Sequence, residues 1–194
     1  MIAHSLSEAY FYLMATSCTR CGQGPLRGAD AKSSQVGDGR AGVSIAFTCR
    51  ACGAAGGNLF QLPAGHAASV AEQYPKVNPT DEPSRILDVA QWLTLFRMIT
   101  QAASTESDKV AARQLGLEAA QCLEEALKFY DDSESDLPPR HAFFHEASRS
   151  RYQLEPQQFS RRRLLDLRSK LPTTATMRSA LSMPKKRRWW GRRK

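Results

Sequence analysis

Cys18-Thr19-Arg20-Cys21-Gly22 and Cys49-Arg50-Ala51-Cys52-Gly53 are two copies of one pattern, a CxxC pair followed by glycine. Each pair places two thiolates a short turn apart, so two such turns side by side supply the four corners of a tetrahedral metal site. The glycine adopts positive φ at little steric cost and lets the chain turn back toward the sulfurs. The pattern predicts that Cys18, Cys21, Cys49 and Cys52 hold one structural Zn²⁺.

Other uses of paired cysteines fit this sequence less well. A redox-active CxxC needs only one motif, usually near a βαβ pattern, and none is predicted here. Disulfides suit secreted chains, whereas Met1 to Ser17 has no basic segment of the kind that begins a signal peptide. Because four thiolates leave no position for a water ligand, we expect the zinc to stabilise the fold and not to catalyse a reaction.

Short β-strands are predicted around the two CxxC pairs from alternating or continuous apolar residues. The segments are Tyr10 to Met14, the alternating Val43, Ile45 and Phe47, and Asn58 to Leu62 after a Gly56-Gly57 turn. Gly28 to Gly42, rich in small and polar residues, is predicted to loop out between the two pairs.

This arrangement resembles the zinc-ribbon family, in which two CxxCG knuckles lie on hairpin ends flanked by short antiparallel strands. The resemblance covers about residues 8 to 62. Zinc ribbons commonly serve as rigid platforms for nucleic-acid or protein contacts, so the resemblance implies a binding role.

The second half of the chain has helical periodicity. Residues 63 to 83 contain five Pro or Gly residues and are predicted to form a linker. We expect four helices, the first two packed as an antiparallel hairpin. They are a helix capped by Asp81 with Pro83 in its first turn, one opened by Thr105-Glu106-Ser107-Asp108, one containing Phe143, Phe144 and Ala147, and one from Glu155-Pro156 to just before Pro172. Ala119 to Leu127 is similar to the second helix of a tetratricopeptide repeat, but no second copy follows, which favours a plain bundle.

A histidine pair and a single cysteine are the other candidates for metal binding or catalysis. His141 and His145 lie four residues apart, a spacing that suits a shared metal on a helix, but no third ligand accompanies them, so a surface pair is favoured. Cys122 lies in the apolar stripe of the second helix, where a thiol behaves as a small hydrophobe, so core packing is favoured over nucleophilic catalysis.

The net charge of +8 is concentrated at the C-terminal end, where residues 161 to 194 hold thirteen Lys and Arg against one acid. Pro184 to Lys194 is predicted to be a disordered tail whose cations neutralise phosphates while its tryptophans stack on unpaired bases. An anionic membrane surface or an inert, solubilising tail would also suit this composition. The predicted nucleic-acid-binding residues are Lys185, Lys186, Arg187, Arg188, Trp189, Trp190, Arg192, Arg193 and Lys194.

Arg161-Arg162-Arg163 either extends the basic surface or pairs with Asp166 or with the acidic residues between 131 and 136.

These features predict an α+β chain: a small antiparallel β zinc ribbon over 1–62, a linker over 63–83, an α-helical bundle over 84–171 and a disordered basic tail over 172–194. Because no nucleotide-binding or hydrolase signature is present, we expect a non-enzymatic cytoplasmic adaptor that contacts nucleic acid, RNA or DNA, or a ribonucleoprotein. The alternative is a protein-interaction module built on the bundle, with an incidental or membrane-directed tail. No small-molecule substrate is inferred.

Overall fold

The computed structural model describes residues 1–36, 40–63, 76–130 and 135–173. They form a four-stranded antiparallel sheet and five α-helices, which confirms the predicted α+β class. The elements are α1 (Leu6–Ala15), β1 (Leu26–Gly28), β2 (Lys32–Val36), β3 (Arg40–Cys49), β4 (Ala55–Gln61), α2 (Val89–Thr105), α3 (Lys109–Leu127), α4 (Glu146–Leu154) and α5 (Arg161–Ser169), with 3₁₀ turns at Arg140–Ala142 and Pro156–Phe159.

β3 is the centre of the sheet. β1 and β2 follow one another along one edge, pairing Leu26 with Cys49 and Lys32 with Ser44, and β4 pairs with the other edge. The prediction that Gly28 to Gly42 loops out is therefore wrong, because β2 and the start of β3 pair there. The polar side chains of β2 are tolerated because an edge strand with solvent-facing residues needs backbone pairing and not an apolar face.

The predicted return strand is present, but it begins earlier than Asn58. β4 starts at Ala55, so Gly56 and Gly57 lie within the strand and the chain reverses in the second CxxC turn. A Gly-Gly pair suits a turn, but it equally suits a strand position where a bulky neighbour lies against the backbone, as Phe47 does at Gly56.

The predicted strand over Tyr10 to Met14 is wrong, because these residues belong to α1. Ser5 caps this helix by accepting a hydrogen bond from the Glu8 N–H at 3.0 Å. The signal was present in the sequence, since Ser followed three residues later by Glu is a capping pattern. As a helix, this segment buries apolar side chains on two faces, which a continuous apolar run permits as readily as a strand does.

α1 lies between the sheet and the other helices. On one face the Tyr12 ring meets Phe60 of β4 edge-on, with ring centroids 5.8 Å apart. On the other face Phe11 meets the fully buried Trp92 of α2 edge-on at 6.1 Å. The core is thus continuous from the sheet through α1 to the helices. The division into domains stays a prediction, and residues 64–75 of the predicted linker lie outside the described residues.

The first long helix begins at Val89 and not near Asp81, because Asp88 makes the complete capping box. Its carboxylate accepts the Gln91 N–H at 2.9 Å, and the Gln91 side chain accepts the Asp88 N–H at 3.0 Å. The predicted second helix is present, but of its predicted opening residues Asp108 is the N-cap, whereas Thr105 is the last residue of α2. α2 and α3 pack against each other across a three-residue connection.

The predicted third and fourth helices are each broken. Phe143 and Phe144 precede α4, whose N-cap is His145, because the N–H groups of Phe144 and His145 bond to the buried Asp88 carboxylate. The segment from Pro156 forms a 3₁₀ turn and then α5, separated by Ser160, whose hydroxyl caps α5 at the Arg163 N–H. Within the described residues, no helix is both long and apolar enough to cross a membrane.

Candidate metal centre

Each CxxC pair occupies a knuckle of the same backbone shape. Gly22 and Gly53 have φ of +70° and +73°. Their N–H groups donate to the carbonyls of Cys18 and Cys49 at 2.8 and 2.9 Å, closing the two turns. Positive φ is a conformation that a Cβ penalises, which is why glycine follows each pair.

The sheet brings the two knuckles together. The first knuckle lies between α1 and β1, and the second joins β3 to β4. Because β1 pairs with the end of β3, Leu26 lies opposite Cys49, and the Arg50 N–H donates to the Pro25 carbonyl at 3.2 Å. Strand pairing therefore sets the separation of two cysteine pairs that are distant in sequence.

The four sulfurs form a compact cluster. The Sγ atoms of Cys18 and Cys52 are 3.8 Å apart, as are those of Cys21 and Cys49, and all four lie within 4.8 Å of one another. Cys18 and Cys49 are buried, whereas Cys21 and Cys52 are exposed. These four side chains, one pair from each knuckle, can together hold a metal ion.

The knuckle backbone tunes the thiols differently. The N–H groups of Cys21 and Arg20 stabilise the Cys18 thiolate and lower its pKa from 9.0 to about 7. At Cys21 the Gln23 N–H acts in the same direction, but desolvation and the neighbouring sulfurs outweigh it and raise the pKa to about 12. Thiols this close do not all ionise without a cation among them, so metal binding and release of thiol protons are coupled.

Two cations accompany the cluster. Arg20 lies inside the first knuckle and Arg50 inside the second, and both are exposed. Four thiolates around a divalent ion would carry a net charge of about −2, which a cation in each knuckle would partly offset.

Two of the other sequence candidates, the histidine pair and Cys122, lack the geometry of a site in the part of the chain that the structure describes. His141 lies in the 3₁₀ turn before α4 and His145 at the N-cap, so they do not share a helix face and the i, i+4 metal geometry is absent. Cys122 is fully buried in the core, and burial raises the pKa of its thiol. It therefore lacks the thiolate character of a nucleophile. The predicted nucleic-acid-binding residues 185–194 lie outside the described residues.

Sequence reasoning missed a polar cluster where Ser148 and Arg151 of α4 meet Gln91 and Thr94 of α2. Each pair has a spacing of three, so each lies on one face of its helix. That spacing was the only local signal. The meeting of two helices that are far apart in sequence leaves no trace in either segment alone.

No protein-family model, curated protein or solved structure matches this chain. Its chemistry is therefore argued from its own residues.

Proposed function

We propose that this protein is a non-enzymatic adaptor in which one structural Zn²⁺ holds a ribbon-like sheet and a basic C-terminal segment contacts nucleic acid. The observation that carries the proposal is the cluster of four sulfurs from two matching knuckles. The zinc, the ribbon family, the adaptor role and the nucleic-acid partner are all parts of the proposal.

The sulfur distances support zinc. A tetrahedron with Zn–S bonds of about 2.3 Å has S–S edges of about 3.8 Å. The Cys18–Cys52 and Cys21–Cys49 separations are both 3.8 Å. Four thiolates favour zinc or iron over magnesium and calcium, which prefer oxygen ligands. With every corner taken by sulfur, the ion has no open position for water, and its role is structural.

The work of such an ion is to stabilise the fold. A structural zinc contributes on the order of 10 kcal/mol of apparent binding free energy. Here the ion would join the loop after α1 to the ends of β3 and β4. Because α1 also packs against Trp92, holding this corner of the sheet supports the core on both sides of α1.

The charge distribution supports a polyanionic partner. Arg162 and Arg163 of α5 are exposed, and the side chains of Arg161, Arg162 and Arg163 make no ion pair with another described residue. The described acids nearby are engaged otherwise, since Asp166 pairs with Lys170 at 2.6 Å and Glu124 with Arg168. Asp136 is the exception: it accepts the Ser160 hydroxyl and the Arg162 N–H, and the charges of Arg162 and Arg161 add to these bonds in lowering the pKa of its carboxyl. Later in the sequence, residues 185–194 hold seven more cations.

The test is a fluorescence-anisotropy titration of labelled single-stranded RNA and duplex DNA over a salt series. We compare the zinc-loaded protein with a variant in which the seven cations of 185–194 are glutamine, and with an R161Q/R162Q/R163Q variant. Each lost phosphate contact should reduce the slope of log K against log salt by about 1. We expect the tail variant to lose most binding. Absence of binding at low salt by the unaltered protein would contradict the proposal.

A protein-interaction module is the second candidate, favoured by two apolar side chains in the second half. Leu154 is 82% exposed at the end of α4, and Leu165 is 50% exposed on α5. If the partner is a protein, a pulldown with the tail variant should recover it as well as the unaltered protein does. An L154S/L165S variant should lose it.

A further inference from the structure

A cleft of about 460 Å³ opens between the end of α1, the first half of α2 and the beginning of α4. Three alanines, Ala15, Ala90 and Ala147, lie in its walls, so no large side chain fills it. Its volume lies within the range of small-molecule sites, roughly 300 to 1,000 Å³. The cleft is separate from the metal centre, whose sulfurs do not line it.

Arg151 supplies a fixed positive charge to this cleft. Its Nη1 donates to the Thr94 hydroxyl at 2.9 Å, and its guanidinium carbon lies 5.9 Å from the centre of the Phe159 ring. Nη2 is buried without a hydrogen-bond partner, and no carboxylate of the described residues pairs with this arginine. A partly buried guanidinium that lacks a counter-charge attracts an anion.

Ser148 supplies a second donor. It is one turn from Arg151 on the same face of α4, and it is 6% exposed. Its hydroxyl makes no hydrogen bond with any residue in the part of the chain that the structure describes. A hydroxyl that faces a cleft and has no protein partner is free to donate to a ligand atom.

The first turn of α4 adds to this preference. Ala147 and Ser148 occupy this turn, and α4 has no side-chain cap. The free N–H groups of a helix N-terminus favour negative charge. Glu146 also lies in this turn and is exposed, but no acidic residue lines the cleft. The nearby Asp88 carboxylate is already held by the N–H groups of Gln91, Phe144 and His145. Gln91 uses its amide oxygen for the Asp88 N–H, so its NH₂ group remains as a donor.

We propose that this cleft binds a small molecule through an oxyanion, a phosphate or a carboxylate, held by Arg151, Ser148 and the first turn of α4. The alanine walls receive the remainder of the ligand. The site is independent of the proposed zinc and nucleic-acid functions.

The test is an NMR titration of the ¹⁵N-labelled, zinc-loaded full chain with inorganic phosphate and, separately, with acetate, at constant ionic strength. We expect saturable amide shifts centred on residues 147–151 with a Kd in the millimolar range, as suits a fragment of a ligand. The anion with the lower Kd identifies whether the group is a phosphate or a carboxylate.

Three variants decide whether the cleft is responsible. R151M should weaken binding at least tenfold, and S148A about threefold or more. R149M removes the same charge from an exposed position of α4 and should leave the Kd unchanged. If R151M does not fold, the test is the comparison of the Kd of S148A with the Kd of R149M. Absence of saturable shifts with both anions, or an equal Kd for S148A, R149M and the unaltered protein, would overturn the proposal.

Discussion

Phe47 and Gly56 lie opposite each other on β3 and β4, and the Phe47 ring covers the glycine. A Cβ added at Gly56 would come within 2.6 Å of the ring carbon Cζ. The neighbouring Gly57 has ordinary space, since its nearest contact would be the Ile45 carbonyl at 3.7 Å. A side chain would therefore clash at Gly56 but not at Gly57, although the two glycines are adjacent in sequence.

This difference predicts unequal effects of two identical substitutions. Gly56→Ala should lower the free energy of unfolding by about 1 to 3 kcal/mol, because the Phe47 ring must leave its place. Gly57→Ala is the control and should change it by less than about 0.5 kcal/mol. Urea unfolding of the zinc-loaded proteins measures both. Equal effects would show that the ring does not depend on the glycine.

The contacts of Asp88 predict that its substitution costs more stability than substitution of Asp108, the other helix cap. Its buried carboxylate accepts N–H groups from Gln91, Phe144 and His145, at 2.9, 3.0 and 3.3 Å. Asp88→Ala should cost about 3 kcal/mol or more, because it removes a cap and leaves buried donors without partners. Asp108→Ala removes the exposed cap of α3 and should cost about 1 kcal/mol. Comparable losses in chemical unfolding would contradict the role assigned to Asp88.

Glu125 predicts a pH dependence of stability. Burial raises the pKa of this carboxyl from 4.5 to about 7, although Lys128 lies 2.7 Å away. The folded state then keeps a proton that the unfolded state has released. The contribution to stability is fully present below pH 4.5 and is lost as the pH rises through 7.

The measurement is the free energy of unfolding from pH 4.5 to 8 for the unaltered protein and Glu125→Gln. Any pH dependence from the cysteines is common to both, so their difference isolates Glu125. Relative to the variant, the unaltered protein should lose stability as the pH rises. Glu124→Gln is the control, because Glu124 is half-exposed and pairs with Arg168 at the surface. Parallel curves for the unaltered protein and Glu125→Gln would refute the shift.

Features that depend on residues close together in the sequence were predictable, and features that depend on contacts between distant residues were not. The two knuckles are predicted because each thiolate pair and its glycine lie within five residues. Val43, Ile45 and Phe47 are predicted because a half-exposed strand alternates. The second helix is predicted because the capping pattern Thr105 to Asp108 lies directly before it, although the pattern does not identify Asp108 as the N-cap.

The errors arose where distant residues decide between local options. Asp81 and Asp88 both suit an N-cap. Asp88 is the N-cap because its carboxylate also accepts hydrogen bonds from the N–H groups of Phe144 and His145. Gly56 suits a turn or a strand, and it lies in a strand where the Phe47 ring packs over it. Tyr10 to Met14 suits either element, and as α1 it contacts the sheet on one face and Trp92 on the other.

The metal content of the purified protein tests the central claim most directly. Elemental analysis should find one zinc per chain in the unaltered protein and in Cys122→Ala, whose thiol lies in the core away from the knuckles. Cys49→Ala removes one of the four ligands and should retain less than about a fifth of the zinc, because a three-thiolate site binds more weakly. One zinc per chain that depends on Cys49 but not on Cys122 is the predicted result. Unaltered protein without zinc, or full zinc content in Cys49→Ala, would contradict the account.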